Sequence, residues 1–245
     1  MHVKREKFPV LIVGGGGAGL TASMLLAGLG VESLLVNATP TTSRQPKAHV
    51  LNQRAMEIMA DCGVAEAIYE VGTPPEQFSH TAMYAGFAGH EGAGRVIFKQ
   101  ESWGAGGADD DWRMASPMIS SNLPQIRLEP ILRERAELLS PGRVRFHHEV
   151  TDIETSDDRV IARVIDHDSG DSFEVEADFV VACDGGRTIG RQVGIDWQGA
   201  RDLTRTVSFY VSADFSSIAT DDDVLLRWIW SPFSGRMVVM APMGP

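Results

Sequence analysis

Short apolar runs, glycine clusters and amphipathic stretches follow one another along this chain in a regular order. Val10-Leu11-Ile12-Val13 is wholly apolar, as expected of a strand buried on both faces. Gly14-Gly15-Gly16-Gly17-Ala18-Gly19 follows directly. Leu20 to Leu29 then reads as a helix with apolar residues all round, ending at Gly28-Leu29-Gly30. Glu32 to Val36 is a second buried strand, which completes a βαβ unit of roughly thirty residues. Asn52 to Asp61 predicts another helix, with Met56, Ile58 and Met59 as its apolar positions. Residues 73–120 lose clear periodicity and are rich in glycine, and Trp103 to Asp111 reads as a mobile loop. Arg127 to Leu139 predicts a helix again, with Leu128, Ile131, Leu132, Ala136 and Leu139 near helical spacing.

After Pro141-Gly142 the pattern turns to alternation. Strands are predicted at Arg143–His147, Val150–Glu154, Val160–Ile165 and Ser172–Glu176, with a turn at Asp168-Ser169-Gly170. Phe179 to Cys183 reads as another buried strand, ending at Asp184-Gly185-Gly186. Thr206–Ala213, Val224–Trp230 and Arg236–Ala241 read as antiparallel strands. The sum is an α/β chain: a Rossmann-like dinucleotide-binding fold followed by a mainly antiparallel β region. No internal repeat is visible.

The glycines fall as Gly14-x-Gly16-x-x-Gly19 between a strand and a helix. In that context the spacing points to a dinucleotide site. The first glycine allows the tight turn, the second lets backbone approach a pyrophosphate, and the third lets helix and strand pack closely. The pyrophosphate then rests on the free N–H groups and positive dipole end of the helix. An acidic residue is expected at the end of the second strand to hold the ribose, and Asn37 stands there instead. Its amide oxygen still accepts a hydrogen bond but carries no charge.

Composition narrows the partners. The 245 residues are 43% hydrophobic, enough for a core, and carry a net charge of -11. That balance repels a phosphate backbone, so nucleic acid is not an expected partner. Asp109-Asp110-Asp111 and Asp221-Asp222-Asp223 read as solvated turns. Cys62 and Cys183 are the two cysteines, in no metal-ligand spacing, which suits a reducing compartment. Lys4, Arg5 and Lys7 before an apolar run mimic a secretion signal, but the run stops at the glycines without a cleavage pattern. No stretch approaches the ~20 apolar residues of a membrane helix. The expectation is a soluble cytoplasmic protein without a metal site. His147-His148 reads as a strand end.

Four segments in order carry a resemblance: VGGGGAG at 13–19, SRQPKAHVLNQRAMEIM at 43–59, LPQIRLEPILRERA at 123–136 and ACDGGRTIGRQVGI at 182–195. Together they resemble the para-hydroxybenzoate-hydroxylase type of FAD-dependent aromatic-ring monooxygenase, most of all its phenol and dichlorophenol hydroxylase branch. The resemblance runs over almost the whole chain. It implies FAD as cofactor, NAD(P)H as co-substrate, and transfer of an OH group from O2 to a small aromatic ring. It implies that Gly14, Gly16, Gly19 and Arg44 meet the FAD pyrophosphate and that Gln125 lies beside the flavin. Val150 falls where backbone meets the adenine. Asp184-Gly185 matches a motif that supports FAD and has been tied to the nicotinamide cofactor; a helix cap is the plainer role for Asp184. Asn37 and Ala38 depart from the family's acidic and basic residues.

Other points stay open. His49 is either a catalytic base, since histidine titrates in a useful range, or a histidine satisfied by backbone. Trp228 and Trp230 share one face of a strand. They wall an aromatic pocket or pack as ordinary sheet residues. Relatives continue past the position of Pro245, so a truncated chain with part of the flavin and substrate sites missing is expected. The expected division is 1–72 with 121–193 as a split FAD domain, and 73–120 with 194–245 as an incomplete substrate domain. A homodimer is compatible with all of this. The alternatives are a non-catalytic dinucleotide-binding module and a flavin dehydrogenase or halogenase on the same fold.

Overall fold

The computed structural model describes residues 4–86, 91–104, 110–186, 188–200, 202–217 and 219–243. Their elements in chain order begin with β1 (Lys4–Val13), α1 (Gly17–Gly28), β2 (Ser33–Asn37), β3 (Val50–Leu51), α2 (Gln53–Asp61) and α3 (Ala65–Val71). Next come β4 (His80–Tyr84), β5 (Val96–Glu101), α4 (Asp110–Ala115), β6 (Ser121–Asn122) and α5 (Gln125–Leu139). The last are β7 (Val144–Phe146), β8 (His148–Thr155), β9 (Val160–Asp166), β10 (Ser172–Ala182), α6 (Ile189–Gln192), β11 (Val224–Ser231) and β12 (Arg236–Met240). The chain divides into two units, 1–45 with 125–208 and 46–124 with 209–245. Residues 46–72 and 121–124 therefore group with the second unit and 194–208 with the first, unlike the division expected from sequence.

The first unit is built on a six-stranded sheet in the order β7-β2-β1-β10-β9-β8. β7, β2, β1 and β10 run parallel, and β9 and β8 continue the sheet antiparallel. Alternation in the buried strands splits their side chains between two layers. Leu11, Val13, Leu34 and Val36 pack with Val150, Ala162, Val164, Phe173 and Val175 in one core. β8 also contacts β2, so the sheet curls back over that core. α1 packs against β1, β2 and α5. Its buried residues are Gly19, Leu20, Ser23 and Met24, whereas Leu25 and Leu29 are exposed. The helix is thus apolar all round but buried along one stripe.

Two expectations change in this unit. Ser172–Glu176 and Phe179–Cys183 are not separate strands; β10 runs through both, because β1 pairs with it from Phe173 to Ala182. Its last part is not buried on both faces, and Phe179 is 70% exposed. The β9 ladder stops at Ala177, so the residues beyond keep β1 alone as a strand neighbour. Lys4, Arg5 and Lys7 are strand residues: Arg5 pairs with Glu174 and Glu176, and Lys7 with Glu176. Exposed pairs of this kind are worth about 0–1 kcal/mol, but they fit the register of the two strands.

The second unit holds the sheet β12-β11-β4-β5 and the small β3-β6 pair. β12-β11 and β4-β5 are antiparallel, while β11 and β4 run parallel, so the region is mainly antiparallel. Phe78 and Leu225 are fully buried at its centre, with Val50, Trp103 and Leu226 against them. β4 and β5 lie in the stretch without clear periodicity; β5 is exposed along its whole length, which erases the alternation a half-buried strand would show. The predicted strand Thr206–Ala213 is absent. No strand lies alongside it among the described residues, and Val207, Phe209, Tyr210 and Val211 are exposed. The mobile-loop expectation at Trp103–Asp111 falls largely on residues 105–109, outside the described residues. Asp110 and Asp111 open α4 rather than forming a turn, as acidic residues at a helix N-terminus should. Asp221 and Asp223 do sit at a turn and are tied down there. Tyr84 donates to Asp221 at 2.6 Å, and Lys99 meets Asp223 at 2.7 Å. Burial first, and then the Asp221 carboxylate, push the Tyr84 hydroxyl well above the ordinary phenol range.

Candidate functional site

Within the first unit, the C-terminal ends of β1, β2 and β10 converge on the glycine loop. Gly14 donates to Val36 O at 2.8 Å and Cys183 donates to Val13 O at 2.7 Å. Gly14 has φ +112, and a Cβ there would strike the Cys183 carbonyl. A Cβ on Gly19 would strike the Gly14 carbonyl, so the first and third glycines are required by backbone-to-backbone contact. Gly16 caps α1 without a side-chain hydrogen bond, and the first turn holds no acidic residue. A Cβ on Gly17 would meet nothing within 4 Å, and one on Gly16 would meet only Glu129 Oε1 at 3.6 Å. The helix N-terminus therefore presents uncapped N–H groups to open space, an arrangement suited to an anion.

Asn37 ends β2 beside this loop. Its Oδ1 accepts from Gly15 N at 2.9 Å, and its Nδ2 donates to Thr39 O at 3.0 Å and Thr39 Oγ1 at 2.8 Å. Both of its donor hydrogens are thus engaged, and one acceptor lone pair is left. Arg44 is exposed and makes no hydrogen bond or ion pair among the described residues. The residue before it is held firmly: Ser43 N donates at 2.6 Å to Glu129 Oε2. Glu129 is 5% exposed and reaches from α5 to both Ser43 and the space over Gly16. Sequence reasoning missed it. The available signal was an acidic residue between Leu128 and Leu132, on the stripe that faces the sheet. Gln125 is the half-buried first residue of α5.

Asp184 follows β10 and accepts three backbone N–H bonds: Gly186 at 3.0 Å, Thr188 at 2.6 Å and Ile189 at 3.0 Å. Burial pushes its carboxyl up, but those bonds outweigh it and hold the group below the usual carboxylate range. Gly185 has φ +71, in the left-handed region that the turn requires. Gly14, Gly16, Gly19, Asn37 and Asp184 thus come together at one end of the sheet. Val150 does not join them through its side chain, which is 4% exposed and lies in the core.

His49, Trp228 and Trp230 belong to the second unit. His49 Nδ1 lies 2.7 Å from Asn122 Oδ1, so a side chain rather than backbone satisfies it. Asn122 Nδ2 donates to Thr73 Oγ1 at 2.7 Å. Trp228 is half-buried and its indole N–H donates to Thr81 Oγ1 at 3.1 Å, whereas Trp230 is 42% exposed. Neither Cys62 nor Cys183 is joined in a disulfide. Among the described residues no group of three or more His, Cys, Asp or Glu could hold a metal ion, and no helix is long and apolar enough to cross a membrane.

Comparison with known proteins decides the family. A model of the FAD binding domain matches residues 7–245. The chain belongs to the FAD binding domain family. Members similar to it include 2,4-dichlorophenol 6-monooxygenase of Delftia acidovorans, 32% identical over 227 residues, or 92% of this chain and 38% of that protein. Phenol 2-monooxygenase of Pseudomonas sp. (strain EST1001) is 30% identical over 196 residues, covering 80% of this chain and 31% of the relative. Among solved structures, the flavin-dependent monooxygenase PieE in complex with FAD and substrate superposes with a TM-score of 0.90 at 34% identity, over 98% of this chain and 41% of that one. The chain spans about two fifths of the first of these relatives. The glycine loop fits the family's cofactor. The two glycines that touch backbone are closed to any side chain, and those over the helix N-terminus leave room for a diphosphate.

Proposed function

We propose that this chain forms the FAD-binding and substrate-binding part of a flavoprotein monooxygenase that uses NAD(P)H and O2 to hydroxylate a phenolic ring. The observation that carries this reading is the uncapped N-terminus of α1, opened by Gly16 and Gly17 and braced by the Gly14–Gly19 contact. The relatives named as phenol and dichlorophenol monooxygenases support the chemistry. The first unit is the flavin domain and the second the substrate domain in this reading. Cys62 and Cys183, neither of them in a disulfide, support a cytoplasmic setting.

Each residue then has a task. The N–H groups and dipole of α1 hold the diphosphate. Arg44, unengaged among the described residues, adds a bidentate contact to it. The remaining lone pair on Asn37 Oδ1 accepts from a ribose hydroxyl. Val150 offers backbone to the adenine, Gln125 contacts the cofactor at the start of α5, and Asp184 shapes the Gly185 turn next to it. FAD, held by these residues, would supply the hydride-accepting and oxygen-activating chemistry that the reaction needs. His49 accepts the phenol proton, which makes the ring more electron-rich. Trp228 and Trp230 supply apolar walls that exclude water.

The test is made on the full-length protein carrying FAD. It should oxidise NADH or NADPH faster when phenol or 2,4-dichlorophenol is added, and 18O from labelled O2 should enter the organic product. FAD binding without any phenol-stimulated oxidation, or a product lacking 18O, would overturn the reading.

A further inference from the structure

We propose that Asn122 is a positioning residue that holds His49 as its Nδ1–H tautomer and so leaves Nε2 as the proton-accepting atom. This rests on the reading of His49 as the base. Asn122 has no exposed surface and is fixed on several sides. Its main chain pairs with Val50 across the β3-β6 ladder. Its carbonyl oxygen accepts from Thr73 N at 3.0 Å, and its Nδ2 donates to Thr73 Oγ1 at 2.7 Å. Oδ1 faces His49 Nδ1 at 2.7 Å. His49 is anchored in the same register, since its own carbonyl accepts from Leu123 N at 2.7 Å.

An amide oxygen can only accept, so the 2.7 Å contact places a proton on Nδ1. Neutral imidazole has one N–H, and Nε2 then carries the lone pair. When Nε2 takes the proton of a phenol, the O–H bond breaks and an N–H bond forms. The product is a phenolate and an imidazolium. Asn122 Oδ1 goes on accepting from Nδ1–H in that charged state, where the hydrogen bond is stronger, and no proton passes to Asn122. The reverse orientation of the amide would set its NH2 against Nδ1. The proton would then sit on Nε2, and no ring nitrogen would be available to the phenol. Thr73 can meet either orientation, so its bond does not decide the matter, and the two arrangements differ in a measurable quantity.

Long-range 1H–15N correlation on the 15N-histidine-labelled full-length protein reports the tautomer directly, with His49 assigned by its loss in His49→Gln. The parent should show protonated Nδ1 and unprotonated Nε2. Asn122→Ala should abolish that preference, and kcat with phenol as probe should fall about tenfold, a part of the roughly 10²–10⁴-fold that a general base supplies. Asn122→Asp keeps an accepting oxygen and should restore the Nδ1–H form. If Asn122→Ala fails to fold, Asn122→Asp serves as the comparison: both of its oxygens can only accept, so the neutral His49 of the parent should show the same Nδ1–H pattern as that variant. A parent with Nε2–H, or a tautomer unmoved by Asn122→Ala, overturns the proposal. A confirmed tautomer with an unchanged rate in His49→Gln instead removes the base reading, and the positioning role goes with it.

Discussion

Asn37 answers two demands with one amide, and the cost falls on the cofactor. Its oxygen steadies Gly15 N–H and its NH2 braces Thr39, which leaves one uncharged lone pair. Asn37→Glu would put a full charge where the ribose is proposed to bind. A hydrogen bond to a charged group is worth about 1.5–3 kcal/mol, so FAD should bind at least about tenfold tighter by fluorescence titration. The variant should melt no higher than the parent without ligand, because both Thr39 contacts are lost. Unchanged or weaker FAD affinity would place Asn37 away from the ribose. At this scale legibility follows sequence distance. Gly14, Gly16, Gly19 and Asn37 are readable because one βαβ unit brings them together within a short span. Glu129 and Asn122 are not, since their partners Ser43 and His49 lie 86 and 73 residues away. A buried polar residue gives no sign in sequence of what it bonds.

Elements divide by what covers them. β1, α1 and β2 are legible as apolar runs set around the glycine cluster, and α2 and α5 because burial on one stripe writes a period into the sequence. β5 was not, since its side chains are exposed throughout. Thr206–Ala213 alternates like a strand yet lies alongside none among the described residues, and a ladder is not visible in one segment alone. The four-residue α6 is too short for periodicity and depends on Asp184 upstream of it. The Asp184 carboxyl titrates lower in the folded chain than in the unfolded one. Its contribution is therefore complete above the ordinary carboxylate range and is lost as pH falls through the lowered folded value. Asp184→Ala should cost about 1–2 kcal/mol in urea unfolding at pH 7, and the gap to the parent should narrow in acid. A gap that stays constant from neutral pH to pH 3 would mean that the carboxylate charge is not what holds the turn.

The whole molecule interleaves its two units: residues 46–124 leave the first unit and return to it before its sheet is complete. These crossing points are not legible in sequence, because the stretch of α2 reads as an ordinary helix with no mark of the unit it joins. One strand carries a consequence in time. Arg5 meets Glu174 across the β1-β10 ladder, 169 residues later. At ~5–20 residues per second of synthesis, the β10 side of β1 waits on the order of 10–30 s for its partner. Throughout that interval Val10 to Val13 present an apolar strand edge of the kind that recruits other chains. Nascent chains stalled before Ser172 should therefore be bound by general chaperones and should exchange the β1 amides freely. Release of β10 from the ribosome should protect those amides and free the chaperone together. If the β1 amides are already protected in chains stalled before Ser172, another segment is guarding that edge during birth.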